Sequence, residues 1–205
     1  MLSLQRFRPQ PDKRLAFLQG FLQRPQVVGS VIPSSRFLER RIVSIAAIAR
    51  ARTVVELGPG TGGTTRAVLD ALPRESRLCA IEINPRFVSL LRNNPDSRLT
   101  VHLGGAESIE ETLAIHGLSK PDVVLSGIPF STIPPDRGRT ILKQIWSVLA
   151  PGGQFVAYQF RDRVSVLGRE ILGAPRVEVE LLNVPPMRIY CWRKPEDTDF
   201  EPLGL

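Results

Sequence analysis

The chain has 205 residues, 42% of them hydrophobic, which suits one α/β domain with a substantial core. No apolar run approaches the roughly 20 residues that cross a bilayer as a helix, and no secretory leader pattern is legible. The net charge of +7 is uneven: residues 1–52 hold ten Lys/Arg against two Asp/Glu, and the remainder hold 17 against 18. Such asymmetry points to an anionic partner surface, either membrane or nucleic acid. Cys79 and Cys191 both fall in predicted strands and read as buried thiols. His102 and His116 lack metal-ligand spacing, so no metal site is expected, and a cytoplasmic protein fits best.

In chain order, Asp12 caps a predicted helix over 12–24 with Leu15, Phe17, Leu18, Phe21 and Leu22 on one face and Lys13, Arg14 and Arg24 off it. A basic amphipathic helix with aromatics can lie in a membrane interface, and Arg14, Phe17 and Phe21 are its candidate contacts; it can equally pack on its own domain. Ser34 or Ser35 starts a second helix to about residue 51, with Phe37, Leu38, Ile42, Ile45, Ala46 and Ile48 inward. Strands and helices then alternate: strands over 53–57, 77–83, 99–103, 122–126 and 154–160, and helices over 63–72, 85–93, 107–116, 135–149 and 163–172. Two further strands, 177–183 and 187–194, reverse at Val184-Pro185-Pro186. The expectation is a seven-stranded, mostly parallel sheet with a C-terminal antiparallel hairpin strand. Residues 1–52 form a basic helical lead-in, 53–194 the α/β core, and 195–205 an acidic tail.

The stretch from Thr53 to Gly63 carries the chemistry. Val54 and Val55 open a strand, Glu56 ends it, and Gly58, Gly60, Gly62 and Gly63 form a turn into a helix. Glycines admit positive φ and close ligand approach, and the helix start offers free N–H groups. The spacing E-x-G-x-G-x-G differs from the dinucleotide pattern. An acid before the glycines suits a cationic amine and would repel a pyrophosphate. Leu78-Cys79-Ala80-Ile81-Glu82 is a second strand ending in an acid, which can accept both hydroxyls of a ribose. These residues resemble the class I S-adenosylmethionine-dependent methyltransferases, with their Rossmann-like fold.

Asp122-Val123-Val124-Leu125-Ser126 delivers Gly127, Ile128, Pro129 and Phe130 to the same sheet edge. Adenine-N6 methyltransferases carry Asn/Asp-Pro-Pro-Tyr or Asn-Leu-Pro-Tyr there; Gly127 supplies no acceptor for a base amine, and Phe130 can stack or line a wall. Ser126-Gly127-Ile128-Pro129 is similar to the Ser-Gly-Leu-Pro of the bacterial soluble-type phosphatidylethanolamine N-methyltransferases. Ile32-Pro33-Ser34-Ser35 and Asn183-Val184-Pro185-Pro186-Met187-Arg188-Ile189-Tyr190 resemble that family's Pro-Ser-Ser and Asn-Val-Pro-Pro segments. Ornithine-lipid N-methyltransferases look much the same.

The resemblance implies a peripheral enzyme on the inner face of the cytoplasmic membrane. It would methylate a phospholipid head-group amine at an anionic surface, with S-adenosyl-L-methionine as cofactor. Cofactor positions carried over are Glu56, Gly58, Gly60, Gly62, Glu82, Ile83, Ala106, Glu107 and Ser126. Substrate positions are Ser35, Gly127, Ile128, Pro129, Phe130 and Arg188, and the polar catalytic candidates are Ser126 and Tyr158. Where the family has Gly-Asp-Ala, this chain has Gly104-Gly105-Ala106, so Glu107 or the Ala106 backbone must meet the adenine. An RNA adenine N6-methyltransferase and a non-catalytic cofactor-binding protein are the alternatives, and Gly127 argues against nucleic acid.

Overall fold

A computed structural model describes residues 34–196. The predicted helix over 12–24 with Arg14, Phe17 and Phe21, and the tail beyond residue 196, lie outside the described residues. Strands β1 (Thr53–Leu57), β2 (Arg77–Glu82), β3 (Leu99–Leu103), β4 (Val123–Ser126), β5 (Gln154–Gln159), β6 (Arg176–Glu180) and β7 (Met187–Arg193) form one sheet. Its order is β3-β2-β1-β4-β5-β7-β6. All pairings are parallel except those of β7 with β5 and β6. Strand order reverses between β1 and β4, so their outgoing loops part there and leave a crevice at the sheet's carboxyl edge.

Helices α1 (Arg36–Ile45), α2 (Gly63–Ala71), α3 (Pro85–Arg92), α4 (Ile109–Ile115), α5 (Pro135–Val148) and α6 (Arg163–Leu172) complete the domain. Side chains alternate across each strand, so each face has its own residue set. Val55, Leu57, Cys79, Ile81, Val124, Phe155, Ala157, Tyr190 and Trp192 share one core cluster with α4, α5 and α6. Glu56, Glu82 and Tyr158 alternate onto the other face, the one toward which α1 and α2 contribute Leu38, Ile42, Val68 and Leu69 as buried residues.

Two boundaries and one burial differ from expectation. Helix α1 stops at Ile45 instead of continuing to 51; Ala47 takes a left-handed φ of 49° and a 3-10 turn, Ile48–Arg50, follows. That break lets Ala46 and Ile48 both be buried, which a straight helix would not. β6 ends at Glu180 because its carboxylate accepts the Leu182 N–H at 2.8 Å and turns the chain. Cys191 is only half-buried, donating to Gln154 Oε1 at 3.4 Å.

α6 lies on Trp192 through a glycine. A Cβ on Gly168 would stand 2.6 Å from the indole Cζ2. The ring cannot retreat: it stacks on Phe155 at 5.2 Å, and its Nε1 donates to Gly173 O at 2.9 Å. Gly168→Ala gains about 1 kcal/mol of helix propensity. We expect overpacking to outweigh it, leaving the variant roughly 1–3 kcal/mol less stable in urea unfolding; an unchanged or raised midpoint would refute this packing account.

Candidate active site

The end of β1 places a carboxylate inside the protein. Glu56 is 0% exposed, its Oε2 accepts the Thr65 hydroxyl at 2.6 Å, and its Oε1 has no partner. Burial pushes its pKa up to about 7, opposed by the Thr65 bond and reinforced by the Glu82 and Glu39 charges. A buried, half-satisfied carboxylate costs stability unless a cation arrives to meet it. The residues therefore fit a ligand with an ammonium group.

The glycine turn shapes the space beside it. Gly58 and Gly62 take φ of 69° and 83°, which L side chains rarely adopt. Gly62 is the N-cap of α2, without a side-chain cap, so the first N–H groups of α2 face the turn. Glu82 spans turn and strand: Oε2 accepts Gly60 N–H at 3.0 Å and Oε1 accepts Asn84 N–H at 2.8 Å. Each oxygen keeps further lone-pair capacity for hydroxyl donors. Ile83, just beyond, is exposed and offers an apolar surface at this edge.

Beyond β3, Gly105 and Glu107 act as one unit. A Cβ on Gly105 would fall 2.7 Å from the Glu107 carboxylate, so that carboxylate occupies the volume a residue-105 side chain would need. Glu107 pairs with Arg137 at 2.7 Å, and Ala106 is buried.

β4 and β5 build the opposite wall. A Cβ on Gly127 would meet the Tyr158 hydroxyl at 2.8 Å and Gly58 O at 2.9 Å. Tyr158 is buried, which raises its pKa well above the ordinary phenol value, and it shares a hydrogen bond with Thr64. It is therefore a neutral hydroxyl at physiological pH. Ile128 and Pro129 are half-buried, and Gln159 Nε2 donates to Ile128 O and pins this loop.

Two expected site residues are buried away from the Glu56 face. Ser126 alternates onto the face opposite Glu56 and Tyr158, is fully buried, and accepts the Ile128 N–H at 3.3 Å. It shapes the turn instead of reaching a ligand. Phe130 lies wholly inside the core cluster and offers no platform for stacking. Ser35 caps α1 by accepting Leu38 N–H at 3.2 Å, and its own N–H donates to Asn183 Oδ1 at 2.8 Å. Arg188 is exposed on the catalytic edge and donates to Phe160 O at 2.9 Å.

Sequence reasoning missed Glu39. It projects from α1 onto the start of α2, where a Cβ on Gly63 would lie 2.5 Å from its Oε1. Its pKa is raised by burial, against the pull of Arg66. The only sequence signal was an acid one turn into a helix that precedes the first strand. Thr64 and Thr65 were also missed, though a hydroxyl soon after the glycines is what a buried Glu56 needs.

The pH dependence follows from Glu56. Its unfolded pKa is near 4.5 and its folded value about 7, so the folded state binds the extra proton between them. Stability therefore falls as pH rises through that window and levels off above it. Glu56→Gln removes this loss. The variant should become more stable than the parent by up to about 3 kcal/mol at pH 8, with a smaller difference near pH 5, in ligand-free urea melts. A difference that does not grow between those pH values would show that Glu56 carries no such strain.

Residues 54–153 match the methyltransferase domain family. The chain is 33% identical over 141 residues to the ornithine lipid N-methyltransferase of Singulisphaera acidiphila, covering 68% of this chain and 73% of that protein. It is 36% identical over 95 residues to ribosomal RNA small subunit methyltransferase A of Caulobacter vibrioides, covering 45% of this chain and 34% of that one. In fold it is similar to an O-methyltransferase from Bacillus cereus solved with SAH, at TM-score 0.66 and 14% identity, over 92% and 94% of the two chains. Glycine turn, buried acids and relatives agree: the chain belongs to the class I S-adenosylmethionine-dependent methyltransferases.

Proposed function

We propose that this methyltransferase acts on the head-group amine of a membrane lipid, an ornithine lipid or phosphatidylethanolamine. It would work as a peripheral protein on the anionic cytoplasmic face of a membrane. The observation that carries the reading is the wall at Gly127. Where adenine methyltransferases present an Asn or Asp acceptor, this chain has no side chain, and the Tyr158 hydroxyl fills the space. The ornithine lipid relative, matched over most of both chains, supports the same substrate class.

S-Adenosylmethionine supplies a methyl group already activated on a sulfonium, so the chain's work is binding, orientation and exclusion of water. In our reading Glu56 Oε1 meets the amino-acid ammonium, and the first N–H groups of α2 meet its carboxylate. Glu82 would accept the ribose hydroxyls. Ile83 would pack on the adenine, and the Ala106 backbone with the Glu107 carboxylate would read its amino edge. Tyr158, neutral and fixed by Thr64, can accept a hydrogen bond from the incoming amine and aim its lone pair. Its raised pKa makes it a positioning group and a poor base, so the amine must arrive neutral.

The second reading is an RNA adenine methyltransferase, favoured by the ribosomal RNA methyltransferase match over 45% of this chain. Labelled-methyl transfer to extracted lipid and to RNA in parallel separates the two. We expect incorporation into lipid, and label in RNA alone would refute the lipid reading. In calorimetry, Glu82→Ala should weaken cofactor binding by about 1.5–3 kcal/mol, the worth of hydrogen bonds to a charged group. Unchanged affinity in a folded variant would remove Glu82 from the cofactor site.

A further inference from the structure

The catalytic edge carries a feature that methyl transfer does not use. β7 runs antiparallel to β5 with Arg188 opposite Gln159, and β6 ends beside Met187. The loop 181–186 therefore stands on the same edge of the sheet as Gly127. Leu181, Leu182 and Val184 on that loop are 72%, 62% and 73% exposed.

Their polar neighbour is inside instead. Asn183 is buried, accepts Ser35 N–H at 2.8 Å and donates to Pro185 O at 2.9 Å. Glu180, also buried, holds the Leu182 N–H. The loop is thus anchored by its polar groups and presents its apolar ones outward, the reverse of the usual arrangement. Val177 and Val179, exposed on β6, continue the apolar strip. A contiguous exposed apolar patch with a polar rim marks an interaction surface.

The rim is basic. Arg188 adjoins the loop and bonds to Phe160, Arg161 and Arg163 follow Phe160, and Arg36 follows Ser35; all four are exposed. Of the acids nearby, Glu178 is paired with Arg41 at 2.9 Å and Arg176 at 2.6 Å, and Glu180 is buried, which leaves Asp162 as the exposed one.

We infer that the loop 181–186 inserts its leucines and valine into the interface of an anionic bilayer, with the arginines at the phosphate level. The inference rests on the lipid-amine reading and deepens it. Apolar tips enter the head-group boundary while arginine stems lie along it and keep their charge at the phosphates. Docking this way brings the catalytic edge to the membrane, so a head group reaches Gly127 while its acyl chains stay in the bilayer. A second copy paired along β6 would cover the valines but leave the tip leucines in water, which disfavours that occupant.

The test uses the full chain and vesicles of phosphatidylglycerol with phosphatidylcholine. Leu181→Ser/Leu182→Ser/Val184→Ser should lower vesicle affinity by at least about tenfold in co-sedimentation. S-adenosylmethionine binding and the melting temperature should be unchanged. Equal sedimentation of parent and variant would overturn the inference. So would a change of oligomeric state by light scattering with vesicle binding retained, which assigns the strip to a second copy. Leu182→Trp gives an independent reading that survives misfolding of the triple variant: bromine-labelled acyl chains should quench its added fluorescence, and absence of quenching overturns the inference. Methyl transfer to phosphatidylethanolamine or ornithine lipid in the same vesicles is scored separately. If the parent methylates neither yet docks through the loop, the lipid-amine reading fails and the insertion stands; if it methylates lipid and the loop variants dock normally, the reverse holds.

Discussion

A carboxylate held inside the protein without a counter-charge organises this structure. Glu56 sits in a central strand, where neighbouring strands on both sides remove it from water. One oxygen is satisfied by Thr65 and the other is left open. The arrangement is tolerable because burial shifts the group toward its protonated form when no cation is present. When a cationic ligand binds, the same burial strengthens the attraction, since little water screens it. Thr65 can reach the acid because the glycine turn sets α2 close against the end of β1. Fold and affinity thus share one expense: the domain gives up stability at the site where it gains ligand.

Much of the architecture was legible because it rests on short-range pattern. Apolar strands alternating with helical spacing fixed the order of elements, and glycine chemistry located the crevice. Boundaries set by tertiary burial were not legible. Ala47 breaks the first helix with a positive φ that its residue type does not advertise. Strand alternation, in contrast, was available and decisive for Ser126. Register places it on the face opposite Glu56, which counting residues along the strand would have shown. Phe130 follows directly after Pro129 in a ligand-edge loop, yet it turns inward to complete the core cluster, an outcome that depends on α5 and α6.

Contacts distant in sequence were invisible for the same reason. The Pro-Ser-Ser and Asn-Val-Pro-Pro segments read as separate motifs, 148 residues apart, and the structure joins them in one hydrogen bond from Ser35 to Asn183. His102 and His116 looked unrelated, and they meet edge to face with Nδ1 and Nε2 3.2 Å apart on the exposed side of β3 and α4. Burial and the neighbouring His116 lower the pKa of His102, which favours the neutral form of that ring. No third ligand joins them among the described residues, and their proximity carries no metal reading.

Two pairs of positions show how the site changes its chemistry without changing its fold. At residue 105 a glycine leaves a void, and Glu107 fills it from two residues away, so a carboxylate is kept beyond β3 where the family has an Asp. The cost is that Glu107 also pairs with Arg137, which weakens its availability as an acceptor. At residue 127 a glycine again leaves a void, and the Tyr158 hydroxyl fills it from the next strand. An Asn or Asp on the loop would accept two hydrogen bonds from a planar base amine. A single hydroxyl already bonded to Thr64 can offer one, from a fixed direction. One acceptor is sufficient to orient a tetrahedral amine whose single lone pair must point at the methyl group, and it does little to select a flat aromatic ring. On the proposed lipid-amine reading, the Gly127–Tyr158 pair would suit an aliphatic amine better than a flat base. It would do so while the glycine turn and both buried acids keep the cofactor crevice in its family form.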